Sequence, residues 1–192
     1  MKKFTLALIF CFLSVGLAQA QQKYLITSNS VGIVRLGMTV AKARKLLKGY
    51  TIKRISDGDG LALIAITKGR KTLITIYAGE EDAEKPINEK AIIECIYVWD
   101  ETFKTADGIH PNMSVRDAEK ILGKVQEVFM SEIESREFAV FTKKPKGLLF
   151  RVDVNSEGEY PFAGDYAKGK RHSETYTPNA FIISIQVSNY FD

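Results

Sequence analysis

The residues able to support catalysis or bind a metal ion are few in this chain. The sequence contains two histidines, His110 and His172, and only one cysteine beyond its apolar N-terminus, Cys95. None of them has a second histidine or cysteine at the short spacing typical of zinc ligands. The sequence also lacks a Gly-x-Ser-x-Gly elbow, a phosphate-binding glycine loop and a dinucleotide fingerprint. We therefore predict no catalytic residue, no metal site and no cofactor, and we expect that the protein is not an enzyme.

Two Asp-Gly steps at Asp57–Gly60 are similar to the start of a calcium-binding loop. A complete loop of that kind ends on an acidic residue, whereas the residues after Gly60 are apolar up to Ile66. Asp-Gly pairs are also typical of tight turns between antiparallel strands. The sequence therefore predicts a hairpin turn at this position rather than a metal site.

The first twenty residues have the features of a secretory signal peptide. Lys2 and Lys3 supply the positive start, residues 4–17 are mostly apolar, and Ala18-Gln19-Ala20 fits a cleavage site. We predict a signal peptide over residues 1–20 and an exported protein, periplasmic or secreted, that starts near Gln21. The apolar run is short for a membrane span, so we expect no integral span after cleavage. The alternative is that this segment is kept as an N-terminal anchor.

The charge of the chain is nearly balanced. The full sequence has 27 Lys and Arg residues against 23 Asp and Glu residues. Removal of the signal peptide takes away two lysines and no acidic residue, which leaves a net charge of about +2. This balance is untypical of proteins that bind nucleic acid, so we expect no nucleic-acid partner.

One short pattern occurs twice in the chain, and it leads into an amphipathic helix each time. Gly37-Met38-Thr39-Val40 is followed 75 residues later by Asn112-Met113-Ser114-Val115. Thr39 and Ser114 are suited to cap helices whose apolar residues follow at helical spacing. A repeat that extends through a helix and into the following strands predicts one folding unit used twice.

The repeat predicts an α+β fold made of two similar units. In each unit an N-terminal helix packs on a four-stranded antiparallel meander, and the two copies lie side by side. We place the first unit at residues 21–107 and the second at residues 108–192. Each unit is near the size at which a single core is marginal, so we expect the two to share an interface. The predicted strands cover residues 50–56, 61–68, 71–78, 90–99, 125–130, 137–143, 147–155 and 180–188.

The strand face opposite the helices is a candidate partner surface. Period-two alternation places Tyr77, Tyr97 and Trp99 on this face in the first unit, and Arg151 and Asp153 in the second. Tyrosine, tryptophan and arginine are the residue types that anchor protein interfaces. The alternative is that these aromatic side chains pack between the two units.

The connection over residues 156–179 is a second candidate partner surface. It carries Tyr160, Phe162 and Tyr166 among glycines and charged residues. Long loops on a rigid scaffold are a frequent location of binding function. The alternative is a mobile hairpin whose tyrosines cover its own base. We expect that this loop and the Asp57–Gly60 turn join the aromatic sheet face in one partner-binding surface.

The helix motif and its tandem arrangement resemble the β-lactamase inhibitory protein fold. The resemblance rests on Gly37-Met38-Thr39 with Leu46-Leu47-Lys48-Gly49, and on Asn112-Met113-Ser114 with Ile121-Leu122-Gly123. The same motif is similar to that of the small outer-membrane assembly lipoproteins of the SmpA/OmlA type. In inhibitors of this fold the concave sheet and hairpin loops grip a partner protein.

The resemblance implies an exported, non-catalytic protein-binding module, inhibitor-like or envelope-associated. We expect its partner to be another envelope or secreted protein, and the residues do not identify the target. The alternative is a small-molecule binder or hydrolase with a site in the cleft between the two units, using His110, His172 or the acidic loops. A purely structural envelope protein is a third reading of the same residues.

Overall fold

The computed structural model describes residues 23–58, 60–132, 136–154 and 161–191. Within these ranges the chain is mostly β structure, with thirteen strands and two short α-helices. The predicted signal peptide, Asp59 of the predicted turn and Tyr160 of the predicted partner surface lie outside the described residues. Neither of the two described helices has the length and apolar character needed to cross a membrane.

Two α-helices, a terminal 3-10 turn and thirteen strands make up the described structure. The helices are α1 (Val40–Leu46) and α2 (Val115–Leu122), and the 3-10 turn is Asn189–Phe191. The strands are β1 (Leu25–Thr27), β2 (Ser30–Val31), β3 (Val34–Arg35), β4 (Thr51–Ser56), β5 (Ala62–Lys68), β6 (Lys71–Tyr77), β7 (Cys95–Val98), β8 (Lys104–Thr105), β9 (Val125–Met130), β10 (Glu137–Phe141), β11 (Leu148–Val154), β12 (His172–Ser173) and β13 (Ala180–Ser188).

These strands form two sheets of very different size. The small sheet has the order β3-β2-β1-β8, and its β1 and β8 pair in parallel. The large sheet has nine strands in the order β12-β9-β10-β11-β13-β7-β6-β5-β4, and every neighbouring pair in it is antiparallel. Its centre is the pairing of β7 with β13, in which Tyr97 lies opposite Gln186 and Val98 opposite Ile185.

The predicted fold class, an α+β tandem repeat of a helix on a four-stranded meander, is wrong. The chain is mostly β, with one continuous nine-stranded sheet and a separate four-stranded sheet. The large sheet crosses the predicted boundary between residues 107 and 108, because β7 and β13 pair with each other. That pairing satisfies backbone N–H and C=O groups that an edge strand would leave exposed. The small sheet was not predicted, since its strands have only two or three residues each and therefore too little alternation to detect.

The two pre-helix stretches do adopt matching local structures. Gly37 and Asn112 both have a positive φ, 78° and 67°. Each donates its backbone N–H to a carbonyl, Gly37 to that of Ile93, which precedes β7 (2.8 Å), and Asn112 to that of Ile182 in β13 (2.7 Å). The predicted caps are confirmed as well: the Thr39 hydroxyl accepts from the third residue after it, and the Ser114 hydroxyl does the same. Local sequence therefore set these helix starts.

The hydrophobic core lies between the helices and one face of the large sheet. A continuous cross-strand row of buried residues runs along that face: Ile66, Ile74, Val98, Ile185 and Phe150. The helices contribute their own buried side chains, from Val40, Ala43, Val115, Ala118 and Leu122. Burying an isoleucine or valine side chain fully stabilises the fold by about 1.5–3 kcal/mol, so this row favours the orientation in which this face of the sheet meets the helices.

The turn between β10 and β11 packs against the turn between β1 and β2. Gly147 has a φ of 69°, and a Cβ built on it would lie 2.5 Å from the Ser28 carbonyl oxygen. The Gly147 carbonyl also accepts from the backbone N–H of Ser188 (3.0 Å). A side chain at this position therefore meets two obstacles, an unfavourable φ and a backbone atom that cannot move aside.

We predict that Gly147→Ala destabilises the protein more than Gly37→Ala. Gly37 also has a positive φ, but nothing lies within 4 Å of its built Cβ. Replacing Gly37 by alanine should lower the free energy of unfolding by about 1–2 kcal/mol, the penalty for an L-residue in the left-handed region. Gly147→Ala adds a steric clash and should cost roughly 3 kcal/mol or more. Urea denaturation of the two variants measures both values, and equal costs would contradict the close packing of the two turns.

Candidate functional site

The face of the large sheet that lies away from the helices, here called the open face, carries polar and aromatic side chains. The strand register places Thr75, Tyr97 and Gln186 in one cross-strand row on β6, β7 and β13. Their neighbours along each strand point to the core, because successive side chains in a strand alternate. Trp99 follows Tyr97 by two residues, and Arg151 of β11 lies opposite Ser184. Tyr97, Trp99 and Arg151 are half-buried.

The large sheet coils strongly across this open face. Asp57 follows β4, at one edge of the sheet, and Arg136 precedes β10, which lies six strand spacings away. In a flat sheet six spacings amount to about 29 Å. The Arg136 Nη2 nevertheless lies 3.3 Å from the Asp57 Oδ2, and the side chains of this ion pair are only 14% and 6% exposed. The open face is therefore concave, with the ion pair bridging its two sides.

Three bulges provide the bending that this concavity requires. The register shifts between Ile66 and Thr67 on β5, between Val140 and Phe141 on β10, and between Arg151 and Val152 on β11. A bulge bends its strand and increases the local twist. The third shift inserts Ile183 as an extra residue in β13, next to Ser184, which lies opposite Arg151 on the concave face.

A cavity of about 360 Å³ occupies this concave region, and we call it the concave cavity. Residues before position 108 supply one part of its lining: Ile55, Asp57, Leu63, Thr72, Thr75, Tyr97 and Trp99. Residues after position 108 supply the rest: Arg136, Arg151 and Gln186. The lining combines aromatic rings, hydrogen-bonding groups, two apolar side chains and three charged ones.

Contacts among the lining residues hold several of them in place. The Trp99 indole N–H donates to the Thr75 hydroxyl (3.1 Å). The Arg151 guanidinium lies over the Trp99 ring, with its Cζ 5.9 Å from a ring centroid, in the range of a cation–π contact. The Asp57 Oδ1 accepts from the backbone N–H of Leu61 (2.9 Å), which orients the carboxylate toward Arg136. These side chains are thus positioned by the protein itself.

Tyr77 and Asp153 are predicted site residues that lie outside the cavity lining. Tyr77 is on β6, which also carries Thr75, and Asp153 is on β11, which also carries Arg151. Tyr77 is in the next cross-strand row, opposite Leu63 and Cys95. Burial raises the pKa of its hydroxyl above the usual value. The Asp153 carboxylate accepts from the backbone N–H of the following residue, Val154 (2.8 Å). Strand alternation places a side chain on a face, but not at the centre of that face.

The predicted aromatic loop packs on the helix side of the sheet and away from the concave cavity. The Tyr166 hydroxyl donates to the buried Glu137 carboxylate (2.9 Å), which also accepts from the backbone N–H groups of Ala163 and Gly164. Burial raises the pKa of Tyr166 well above its usual value. Phe162 is exposed. The structure therefore separates Phe162 and Tyr166 from Tyr97, Trp99 and Arg151.

A second tyrosine of this loop is held in the same way. The Tyr176 hydroxyl donates to Glu119 of α2 (2.7 Å), and burial raises the pKa of Tyr176 to about 12. Both tyrosines also pack against the core cluster. In the described residues 161–177 the two tyrosines thus cover the base of their own connection, whereas Phe162 is exposed.

Arg136 and Thr75 are lining residues that the sequence analysis did not identify. Thr75 follows the same alternation as Tyr77 on β6, so its position could have been predicted from the sequence. Arg136 had no such signal, because its approach to Asp57 depends on the coiling of strands that are distant in sequence.

The two histidines and Cys95 are placed apart from one another and from the cavity lining. The His110 Nδ1 contacts the Pro111 carbonyl (2.7 Å), and the His172 Nδ1 contacts Glu127. Cys95 is buried, and this burial raises the pKa of its thiol to about 12. Among the residues that the structure describes, no group of three His, Cys, Asp or Glu side chains could hold a metal ion.

Comparison with known proteins adds a fold likeness without a function. No protein-family model matches this chain, and no curated protein matches it. Among solved structures, it is similar to the uncharacterized protein yfeY from Escherichia coli. The two are 14% identical, with a TM-score of 0.54, and the match covers 85% of this chain and 99% of that one. At this identity the likeness concerns the fold alone.

We predict that Asp57 and Arg136 are energetically coupled across the concave cavity. A double-mutant cycle with Asp57→Asn and Arg136→Gln should give a coupling of about 1–3 kcal/mol in chemical denaturation, because both side chains are nearly buried. Asparagine keeps the Oδ1 acceptor that Leu61 uses, so the turn itself is retained.

The exposed pair of Arg44 and Glu89, 2.8 Å apart and 41% and 45% exposed, is the matched control. Its coupling should stay below about 1 kcal/mol, as for other surface pairs. A coupling between Asp57 and Arg136 no larger than this control value would contradict the bridging role of the ion pair.

Proposed function

We propose that this protein is an exported, non-catalytic binding module that receives part of a partner protein in the concave cavity. The observation that supports this proposal is the coiling of the open face around a cavity of about 360 Å³. Side chains from both halves of the chain line it, so the site exists only in the complete fold. Export rests on the sequence of residues 1–20, and it makes another envelope or secreted protein the expected partner.

The lining residues are the types that supply most of the binding energy in protein interfaces. Tyrosine, tryptophan and arginine are enriched among the residues whose truncation weakens binding most. Tyr97, Trp99 and Arg151 bring one of each into the concave cavity. Leu63 and Ile55 add apolar surface beside them. This composition favours tight contact with a partner over chemical conversion of a substrate.

The size of the concave cavity limits what a partner can insert. Binding pockets for small ligands span about 300–1,000 Å³, and this cavity lies near the lower limit. It accepts one or two side chains but not a helix or a strand pair. The partner therefore presents a protruding loop or a chain end, while the rim of the coiled sheet contacts the surroundings of that loop.

Preorganisation lowers the cost of binding at this site. Ordering a flexible side chain costs an interface about 0.5–1.5 kcal/mol. Trp99 is already fixed by its hydrogen bond to Thr75, and Arg151 already lies over the Trp99 ring. These side chains therefore lose little additional freedom when a partner binds.

Site-specific photo-cross-linking tests the proposal. We expect that p-benzoylphenylalanine in place of Tyr97, installed in the full-length chain in its organism of origin, forms an adduct with a discrete protein on illumination. The same replacement at Tyr190, which is 75% exposed and is not a cavity residue, is the control. No protein adduct at position 97, or the same adducts at both positions, would contradict the proposal.

A second candidate function is the binding of a small molecule in the same concave cavity. The observation that favours it is the enclosure of the cavity by the ion pair of Asp57 and Arg136, which a protein partner does not require. A hydrolase is not proposed, because His110 and His172 lie outside the lining.

Thermal unfolding in the presence of a metabolite panel tests this candidate. A ligand at 100 times its Kd should stabilise the native state by about 2.7 kcal/mol and raise the Tm accordingly. Arg151→Gln should abolish the shift, whereas Arg35→Gln, at an exposed position in the small sheet, should leave it unchanged. A ligand whose shift survives Arg151→Gln binds elsewhere.

A further inference from the structure

The positive charge of this chain is concentrated in one segment. Residues 41–71 contain nine lysine and arginine residues against two aspartates, whereas the sequence after the predicted signal peptide has a net charge of only about +2. Three of the nine form ion pairs: Arg44 with Glu89, Arg54 with Glu80, and Lys71 with Asp100. The other six form no ion pair with any residue that the structure describes. The balanced total therefore includes one strongly basic region.

Four of the unpaired cations lie at one end of the large sheet, and we call them the basic end: Lys45, Lys48, Lys68 and Arg70. The first two lie at the end of α1, the other two lie in the turn between β5 and β6, and all four are exposed. The end of α1 is close to this turn, because Leu47 lines a small apolar pocket together with Ile66 of β5. Two acidic residues near this end, Asp100 and Glu101, both act on Lys71. The basic end thus keeps an excess of positive charge.

The matching positions of the second helix and hairpin, 75 residues later, do not repeat this excess. On α2, Asp117 forms an ion pair with Lys120 (2.6 Å), whereas α1 has two lysines, Lys42 and Lys45, at these positions. In the second hairpin the Lys143 ammonium donates to a backbone carbonyl of α2 (2.9 Å). Its counterpart in the turn between β5 and β6 makes no such bond within the described part of the chain. A helix and hairpin of this kind therefore fold without unpaired cations.

Two exposed aliphatic side chains lie beside the basic end. Leu46 is 46% exposed in the last turn of α1, and Ile33 is 40% exposed and lines the same small pocket as Leu47. Lysines next to exposed aliphatic side chains are typical of segments that lie on membranes. The ammonium groups contact lipid phosphates there, and the aliphatic groups enter the boundary between headgroups and acyl chains.

A membrane surface suits these residues better than a nucleic acid or an acidic protein. Sites for single-stranded nucleic acid combine cations with aromatic rings that stack on bases, and a phosphate backbone offers no apolar surface for Leu46 and Ile33. Protein interfaces are depleted in lysine, whose ammonium is strongly hydrated and carried on a flexible stem. A layer of lipid phosphates requires no fixed donor geometry, so lysine side chains lose little freedom when they bind to it.

We propose that the basic end attaches the protein to an anionic phospholipid membrane, with its four cations at the phosphates and with Leu46 and Ile33 at the acyl boundary. This inference does not depend on the proposed function, because α1 lies on the helix side of the sheet, opposite the concave cavity. A protein attached in this way can still receive a partner in the concave cavity.

Co-sedimentation with lipid vesicles tests the inference on residues 21–192, which include every residue that the structure describes. The predicted signal peptide is left out because its apolar segment would itself bind lipid. The probes are vesicles of phosphatidylcholine alone and vesicles in which half of the lipid is phosphatidylglycerol. We expect the anionic vesicles to be bound at least about tenfold more tightly at low salt, and high salt to remove this difference.

Glutamine variants locate the binding. Replacing all four cations of the basic end should lower the affinity for anionic vesicles about a hundredfold or more, because each contributes about fivefold. The matched control replaces four other exposed lysines and changes the net charge equally: Lys90, Lys124, Lys144 and Lys168. The control should stay within about threefold of the unchanged protein, because salt screens distant charges. If the quadruple variant does not fold, Lys45→Gln and Lys68→Gln as single variants should each show the fivefold loss.

A further variant distinguishes a membrane from other polyanions. Leu46→Ser should weaken binding to anionic vesicles about fivefold, since it removes an apolar group from the acyl boundary, and should leave binding to duplex DNA or poly-glutamate unchanged. Tighter binding to either polymer than to anionic vesicles, or no effect of Leu46→Ser on the vesicles, would overturn the inference. Equal binding to neutral and anionic vesicles, no binding to either, or equal losses in the two quadruple variants would overturn it as well.

Discussion

The pairing of β7 with β13 is the interaction on which both the core and the concave cavity depend. It covers only four residue pairs, yet it joins the strands from the two halves of the chain into one sheet. On the helix side it sets Val98 against Ile185, in the middle of the buried row. On the open face it sets Tyr97 against Gln186, at the floor of the cavity. Since strand side chains alternate, one register determines both faces, and a shift by one residue would exchange them.

Coiling of the sheet converts this shared register into the concave cavity. Nine strands in a flat sheet would present a broad, open surface, on which Tyr97 and Arg151 would bind a partner with little selectivity. The register shifts that insert Leu73, Gln126 and Ile183 as extra residues bend the sheet, and Asp57 and Arg136 meet across it. The same curvature leaves the opposite face convex, where the helices and the aromatic loop cover the core. The concave cavity and the covered core thus lie on the two faces of one bent sheet.

The fold by itself does not identify the function of this protein, since one architecture supports many activities. The likeness to yfeY from Escherichia coli concerns the course of the chain, and that protein is described as uncharacterized. The functional argument therefore rests on the site: a tryptophan and an arginine held in contact with each other, and a volume that fits one or two side chains. The aromatic loop, which the sequence suggested as part of this surface, instead closes the helix side through Glu137 and Glu119.

The sequence by itself determined the features that depend on neighbours along the chain. Thr39 and Ser114 cap the helices, Gly37 and Asn112 take matching left-handed conformations, and period-two alternation places Tyr97 and Trp99 away from the helices. Each of these follows from the geometry of a few consecutive residues. Such local patterns predict both helices, most of the long strands and three members of the candidate site, Tyr97, Trp99 and Arg151.

Only the tertiary structure decided which strand edges meet and how far the sheet bends. The fold class was predicted wrongly because hydrophobic periodicity reports which face of a strand is buried and not which strand becomes its neighbour. Arg136 could not be predicted as a site residue for the same reason. It reaches Asp57 only because seven neighbouring strands, from β10 to β4, together bend the sheet. The burial of Tyr166 depends on a carboxylate 29 residues away in the chain. Contacts of this kind result from packing the whole chain into one shape, and no short window of sequence contains them.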